Sequence, residues 1–305
     1  MPFGTLRIAK PLQAIDMKRL ILILSLTLSI NMLLQAQESK IKIDTIVYKK
    51  IDTSSLIMKI VYPPNFSSSE TYPAMVFFFG GGWKRGNIGH FEMQADYFAR
   101  RGIICFLADY RVESRHGATI AECVMDARSA IRYLRKNTDR FSIDGNKIIA
   151  VGGSSGGQLA AATAISNGPD ESTDDISISP FPNALFLFNP AIDLGPGTGL
   201  YEKRKLGEIY QSISPLHIIN KETPPTILFL GTEDKYIPVD DAKKYKQKID
   251  DVGSRCELFL YEGQQHGFFN YSRSEEHYKK TVYEADKFLI SLGYLDGEPT
   301  IMNKK

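Results

Sequence analysis

Hydrophobic and polar positions follow two different periods along the chain after residue 40. Continuous apolar runs at residues 74–79 (AMVFFF) and 103–108 (IICFLA) are typical of strands that are buried on both faces. Residues 119–136 instead place apolar side chains three and four positions apart, which predicts a helix with one apolar stripe. Because the two periods alternate, we expect strands and helices to alternate as well.

This alternation predicts an α/β fold with a mostly parallel central sheet and helices on both faces. The first two strands have no helix between them, which is compatible with an antiparallel edge. Residues 144–146 (DGN) predict a turn, residues 166–182 a polar surface loop, and residues 194–224 a small insertion over the site. Strands are predicted at residues 41–48, 56–62, 74–79, 103–108, 147–151, 185–188, 226–230 and 257–261, and helices at 91–101, 119–136, 157–165, 240–251 and 275–292.

The first 36 residues have the pattern of a secretory signal peptide. A basic stretch that opens with Met17-Lys18-Arg19 precedes an apolar run at 20–34, and Ala36 ends a segment that resembles a cleavage site. The run is shorter than the roughly 20 residues that span a bilayer, so we expect cleavage rather than stable membrane insertion. We therefore expect export to the periplasm or the extracellular space and a single domain over residues 37–305. Met17 is a better start than Met1, which marks residues 1–16 as a mis-assigned extension.

Charge and cysteine content exclude several classes of partner. The full chain has a formal charge of +2, and removing residues 1–36 leaves 33 basic against 34 acidic residues, so no nucleic-acid partner is expected. The three cysteines, Cys105, Cys123 and Cys256, lie in apolar runs and are expected to be buried. Neither a metal-ligating cluster nor a cofactor motif is present, so no metal or cofactor is expected.

A candidate nucleophile lies in the run GGSSGG at residues 152–157. A strand precedes the run and the helix-compatible QLAA follows it, as in the strand-turn-helix motif G-x-S-x-G. One frame centres Ser154 and the other Ser155; Ser154 lies nearer the end of the strand and is favoured. A phosphate-binding glycine loop does not fit, because G-x-G-x-x-G is absent and no Lys-Ser or Lys-Thr follows.

A serine nucleophile needs a base, an orienting carboxylate and donors for an oxyanion. Gly80, Gly81 and Gly82 follow a buried strand and expose backbone N–H groups, although a flexible turn is the alternative. In this motif the chain order is Ser, then the acid, then His, which favours Asp234 and His266 in two loops that follow strands. Asp193 and Glu233 are weaker acids. The other histidines are disfavoured by order or by a charged helical setting: His90, His116, His217 and His277.

These motifs resemble the α/β-hydrolase superfamily, and within it the esterases related to hormone-sensitive lipase and the secreted bacterial acetyl and feruloyl esterases. The resemblance covers about residues 40–293. It rests on the glycine triplet with Trp83, Asp109-Tyr110-Arg111, GGSSGGQLA, Ser214-Pro215, GTEDKYIP and EGQQHGF.

The resemblance implies roles for individual residues. Ser154 would be the nucleophile, Asp234 the orienting acid and His266 the base. The N–H groups of Gly81, Gly82 and Ser155 would form the oxyanion hole. Two departures stand out: Phe79 replaces the family's His before the triplet, which leaves open how the loop is held, and Ser155 replaces a frequent Ala.

The implied function is hydrolysis of short acyl or aromatic acyl esters, such as acetyl groups on polysaccharide, in a small-molecule or oligosaccharide substrate. Trp83, Tyr236 and Phe268 lie near the site motifs and are candidates for lining a substrate pocket. Two other functions fit the same motifs. One is a peptidase of the prolyl oligopeptidase type, and the other is a catalytically inactive binding module.

Overall fold

An eight-stranded sheet runs through the computed structural model, which describes residues 41–51, 53–164 and 167–301. The predicted leader lies outside the described residues. The strand order is β1-β2-β4-β3-β5-β6-β7-β8. The strands are β1 (Ile43–Ile51), β2 (Ser54–Val61), β3 (Tyr72–Phe78), β4 (Ile104–Ala108), β5 (Ile143–Gly153), β6 (Ala184–Phe188), β7 (Thr226–Gly231) and β8 (Cys256–Tyr261).

The sheet is parallel from β4 through β3 to β8, while β1 and β2 form an antiparallel edge. The predicted α/β class and the antiparallel edge are therefore confirmed. One local prediction is wrong: residues 144–146 lie inside β5 rather than in a turn between elements. They form an irregularity, because one residue of β3 opposes four residues of β5 between the pairs Tyr72–Ile143 and Ala74–Ile148.

Helices cover both faces of the sheet. Those with eight or more residues are α1 (Glu92–Arg100), α3 (Ile120–Lys136), α5 (Ser155–Ala162), α9 (Val239–Asp251) and α10 (Glu275–Ser291). The shorter ones are α2 (Glu113–His116), α4 (Thr138–Phe141), α6 (Gly199–Arg204), α7 (Tyr210–Ile213) and α8 (Pro215–Ile218), with two 3-10 turns at Ile88–Phe91 and Gly207–Ile209. No helix in the described residues is long and apolar enough to cross a membrane.

Two separate hydrophobic cores result from the alternation of side chains along each strand. In β3, Val76 and Phe78 pack into the core beneath α3 and α5, whereas Met75 and Phe77 pack into the core beneath α1 and α10. A strand buried on both faces needs apolar residues at every position. This requirement explains the continuous apolar runs in the sequence.

Helix α3 is fixed at its start and along its apolar face. Thr119 accepts a hydrogen bond from the Glu122 N–H, and the Glu122 side chain accepts one from the Thr119 N–H, which together form a capping box. Cys123 lies on the buried face of this helix, and Cys105 and Cys256 lie in strands. All three cysteines are buried free thiols, as predicted, and burial raises the pKa of each.

A buried ion cluster fastens the antiparallel edge to α3. Asp126 has no exposed side-chain surface, and its carboxylate receives Lys49 Nζ at 2.7 Å and Arg111 Nε at 2.8 Å. Glu171, in the predicted polar loop, contacts both cations at 3.2 and 2.9 Å. The loop is therefore attached to the domain by charge pairs, and each buried charge has an opposite partner.

Removing the carboxylate at the centre of this cluster should be strongly destabilising. Asp126→Ala would leave Lys49 and Arg111 buried without their main partner, and we expect a loss of about 3–5 kcal/mol in the free energy of unfolding. Urea denaturation measures it. The matched control is Asp96→Ala, which breaks an exposed ion pair with Arg100 and should cost about 1 kcal/mol or less. Equal losses for both variants would contradict the prediction.

Candidate active site

The residues predicted from the motifs meet at one edge of the sheet. The carboxyl ends of parallel strands share an edge, and ligands bind outside that edge in open α/β sheets. Here β3 leads into the glycine triplet, β5 into Ser154, β7 into the loop of Asp234, and β8 into the loop of His266.

Ser154 lies at the apex of a sharp turn between β5 and α5. Its backbone angles are φ 56° and ψ −120°, outside the regions that L-residues normally adopt. The turn is possible because the flanking glycines lack a Cβ. A Cβ on Gly152 would lie 2.0 Å from the Gly156 carbonyl oxygen, and one on Gly156 would lie 2.1 Å from the Phe78 carbonyl oxygen. Such strained backbone positions are typical of functional residues.

The two serines of the run make different contacts. Ser154 Oγ lies 2.9 Å from His266 Nε2. Ser155 Oγ instead accepts a hydrogen bond of 2.9 Å from the Gly82 N–H, and the Ser155 side chain is buried. The structure thus brings Ser154, and not Ser155, to the histidine.

Asp234 holds the other side of the His266 ring. Its Oδ2 lies 2.7 Å from His266 Nδ1, and its Oδ1 accepts hydrogen bonds from the Tyr236 and Ile237 N–H groups at 2.8 and 3.1 Å. The carboxylate has no exposed surface. Both of its oxygens are therefore occupied, which fixes its orientation.

The weaker acid candidates lie elsewhere. Asp193 faces His217, with 3.7 Å between Oδ1 and Nδ1, and accepts a hydrogen bond from the Gly195 N–H. Glu233 is exposed. The structure brings neither carboxylate to His266.

Asn189 is a site residue that the motifs did not indicate. It follows β6, its Oδ1 accepts a hydrogen bond of 2.9 Å from the Gly267 N–H, and its Nδ2 lies 3.4 Å from His266 Nε2. It therefore anchors the loop that carries the histidine. The available signal was its position directly after a buried strand.

His90, and not Phe79, supports the glycine loop by a hydrogen bond. The Phe79 ring stacks on Tyr110 with 4.1 Å between ring centroids, so it packs rather than hydrogen-bonds. His90 Nδ1 accepts a hydrogen bond of 2.9 Å from the Gly80 N–H, and its Nε2 lies 2.8 Å from Asn270 Oδ1. Since His90 precedes Ser154, chain order had set it aside; its role is to support the glycine loop.

The three predicted oxyanion donors are not equivalent. Within the described part of the chain, the N–H groups of Gly81 and Ser155 have no acceptor, whereas the Gly82 N–H is bonded to Ser155 Oγ. The Ser155 side chain thus has a contact that the motifs did not indicate. Its hydroxyl also engages one of the proposed donors, and Gly82 must give up this bond before it can bind an oxyanion.

A cavity of about 720 Å³ opens above Ser154. Trp83 and Tyr236 line it, and the Tyr236 ring packs edge-on against His266 with 5.0 Å between centroids. The expectation for Phe268 is wrong, because this side chain is buried against Tyr261 outside the lining; its neighbour Phe269 lines the cavity instead. No group of metal-ligating side chains occurs among the residues that the structure describes.

Known proteins resemble this chain in both sequence and structure. The family described as BD-FAE matches residues 58–193. The isoprenylcysteine alpha-carbonyl methylesterase ICME of Arabidopsis thaliana is 29% identical over 216 residues, which cover 64% of this chain and 50% of that protein. An acetylxylan esterase of Xylanibacter ruminicola is 26% identical over 206 residues, covering 62% of this chain and 39% of that protein. The chain spans about half the length of the first of these curated relatives.

Among solved structures, esterase 2 of Thermogutta terrifontis, phosphoramylated by tabun, is 40% identical with a TM-score of 0.80, and the match covers 84% of this chain and 97% of that one. Its propionate-bound form is 39% identical with a TM-score of 0.79, covering 84% and 96%. The architecture of this chain is therefore the α/β-hydrolase fold.

The environment of His90 makes a prediction about pH. Burial lowers the pKa of His90 below 6.5, and protonation would turn Nδ1 into a donor that cannot accept from Gly80. His90 therefore binds a proton more readily in the unfolded chain than in the folded one. The free energy of unfolding should consequently fall as the pH drops through about 6.5, by at most about 1.4 kcal/mol per pH unit. Urea denaturation at about pH 7.5 and 5.5 measures the fall.

His90→Asn keeps an acceptor near Gly80 without a titrating ring and should show a smaller fall than the wild type. His277→Asn, which alters a histidine outside the cavity lining whose Nδ1 contacts the Ser274 hydroxyl and not a backbone N–H, is the control and should behave like the wild type. An identical pH dependence in His90→Asn and the wild type would count against this role of His90.

Proposed function

Because the chain belongs to the esterases of the α/β-hydrolase superfamily, we propose that it is a serine hydrolase that cleaves esters of short acyl or aromatic acyl groups. The observation that carries the proposal is the continuous contact from Asp234 through His266 to Ser154, with distances of 2.7 and 2.9 Å. A nucleophile, a base and an orienting acid at hydrogen-bonding distance are the requirement for acyl transfer by serine.

In the proposed first step, Ser154 Oγ attacks the ester carbonyl carbon while His266 Nε2 takes the hydroxyl proton. Asp234 holds the proton on Nδ1, so that Nε2 is the free base, and stabilises the imidazolium that forms. His266 then gives the proton to the leaving alcohol oxygen, and the C–O bond breaks to leave an acyl-enzyme. Water repeats the sequence and releases the acid.

The oxyanion of each tetrahedral intermediate would be bound by backbone N–H groups. Gly81 and Ser155 offer N–H groups that have no other acceptor among the described residues, and Gly82 would join them by exchanging its bond to Ser155 Oγ for the oxyanion. Each such donor is typically worth about 10² to 10³ in rate. His90, Tyr110 and Ser155 hold this loop through hydrogen bonds to the backbone of residues 79–82.

We infer the substrate class from the side chains that line the cavity and from the ligands named for related proteins. Trp83 and Phe269 give the cavity an aromatic wall that suits a short or aromatic acyl group. A solved relative binds propionate, another form of it binds butyrate, and a curated relative is named for acetylxylan. We propose that the substrate is an ester of an acetyl or similarly short acyl group. The alcohol part would be a small molecule or a fragment of an extracellular polysaccharide.

Reagents that phosphylate nucleophilic hydroxyls can test the assignment of Ser154. The related esterase is phosphorylated by paraoxon. We expect a fluorophosphonate probe to label the wild type, and Ser154→Ala to abolish labelling and lower the turnover of 4-nitrophenyl acetate by about 10⁵ to 10⁶. Mass spectrometry of the labelled peptide identifies the serine.

Ser155→Ala is the matched control, since it removes the neighbouring hydroxyl from the same turn. The variant should still be labelled by the probe. Its kcat should differ from that of the wild type, because the Gly82 N–H loses its acceptor. Labelling that persists in Ser154→Ala and disappears in Ser155→Ala would refute the assignment. A wild type that neither reacts with the probe nor hydrolyses esters would favour an inactive binding module.

A further inference from the structure

The cavity above Ser154 has an unbalanced set of charges. Five of its lining side chains are ionisable, and only the two arginines among them carry a permanent charge: His90, Tyr236, His266, Arg85 and Arg273. No lining residue among the described ones carries a carboxylate. Asp234 lies nearby but is fully buried and faces His266. The surface that a substrate would meet therefore carries two permanent positive charges without a negative one.

Neither arginine has an acidic partner in the part of the chain that the structure describes. Neighbouring cations differ in this respect: Lys84 Nζ lies 3.8 Å from Glu113, and Arg204 pairs with the same carboxylate. Arg204 also donates a hydrogen bond of 2.7 Å to the Gly82 carbonyl oxygen. Arg85 and Arg273 are exposed, and no ion pair joins either of them to a described carboxylate.

The two arginines lie at different walls of the cavity and on fixed backbone. The Arg85 N–H donates to the Gly81 carbonyl oxygen at 3.3 Å, which places this residue at the glycine loop. The Arg273 Nε lies 3.4 Å from the position that a Cβ on Gly267 would occupy, so its side chain lies over the residue next to His266. The Arg273 N–H is bonded to the Asn270 carbonyl oxygen at 2.9 Å.

We propose that the ester cleaved at Ser154 carries an anionic group, a carboxylate or its equivalent, which Arg85 and Arg273 bind. This rests on the proposed ester hydrolysis and narrows it to acidic substrates, such as acylated acidic sugars or half-esters of dicarboxylic acids. A guanidinium matches a carboxylate through two parallel N–H donors, and the absence of competing acids at the cavity leaves those donors available.

Four chromogenic esters in two matched pairs test the proposal. 4-Nitrophenyl hydrogen glutarate and 4-nitrophenyl methyl glutarate differ by a carboxylate on the acyl part. 4-Acetoxy-3-nitrobenzoate and its methyl ester differ by a carboxylate on the alcohol part. Rates of hydroxide hydrolysis correct each pair for intrinsic reactivity. We expect the wild type to prefer the anionic member of at least one pair by about tenfold in kcat/KM, chiefly through a lower KM.

The variants Arg85→Gln, Arg273→Gln and their combination should reduce this preference, with the double variant close to equal rates for the pair. About 0.5 M NaCl should reduce it in the wild type, because salt screens the attraction between exposed charges. Arg140→Gln is the control: it removes an exposed arginine of α4 that does not line the cavity, and it should keep the preference of the wild type.

The pair whose anionic member has the higher kcat/KM shows whether the substrate's anionic group lies on the acyl or on the alcohol part. The proposal is overturned if the wild type prefers the neutral member of both pairs, or if the double variant keeps the anionic preference unchanged. A wild type that hydrolyses none of the four esters instead overturns the proposed ester hydrolysis, and the inference with it. Hydrolysis of the neutral esters therefore distinguishes failure of the anion-binding proposal from failure of the proposed ester hydrolysis.

Discussion

The site depends on the close approach of three backbone segments at the end of β5. Gly152 touches Gly156 across the turn, and Gly156 touches the carbonyl oxygen of Phe78 at the end of β3, so a side chain at either glycine would separate the segments. Their contact forces Ser154 into a left-handed conformation and projects its hydroxyl away from the sheet. The distance to His266 and the position of the glycine loop both follow from this packing.

The glycine loop has little support from its own side chains, so the surrounding elements hold it. Tyr110 stacks beneath Phe79 and donates to its carbonyl oxygen at 2.7 Å, His90 accepts from Gly80, and Ser155 accepts from Gly82. These supports come from distant parts of the chain. Preorganised donors lower the cost of stabilising a developing charge, because they need not reorient during the reaction.

Charge is used in two opposite ways in this protein. At the sheet edge, the carboxylate of Asp126 is buried and each of its oxygens meets a cation, which satisfies the requirement for burying charge. At the cavity, Arg85 and Arg273 are exposed to solvent and have no acidic partner among the described residues, so water solvates their charge at little cost until a ligand binds. The first arrangement stabilises the fold, whereas the second leaves the guanidinium N–H donors available to a ligand.

The sequence by itself determined the α/β class, the position of each strand and the residues Ser154, Asp234 and His266 as candidates, because burial periodicity, glycine turns and chain order are local properties. Only the tertiary structure decided which serine contacts the histidine, that the ring of Phe269 rather than Phe268 reaches the cavity, and that the N–H of Gly82 is engaged. The tertiary structure also gave His90 and Asn189 their supporting roles, since the sequence had set the first aside and marked the second only by its place after a strand. The bond from His90 to Asn270 joins residues 180 positions apart, and such contacts depend on how loops from different strands meet.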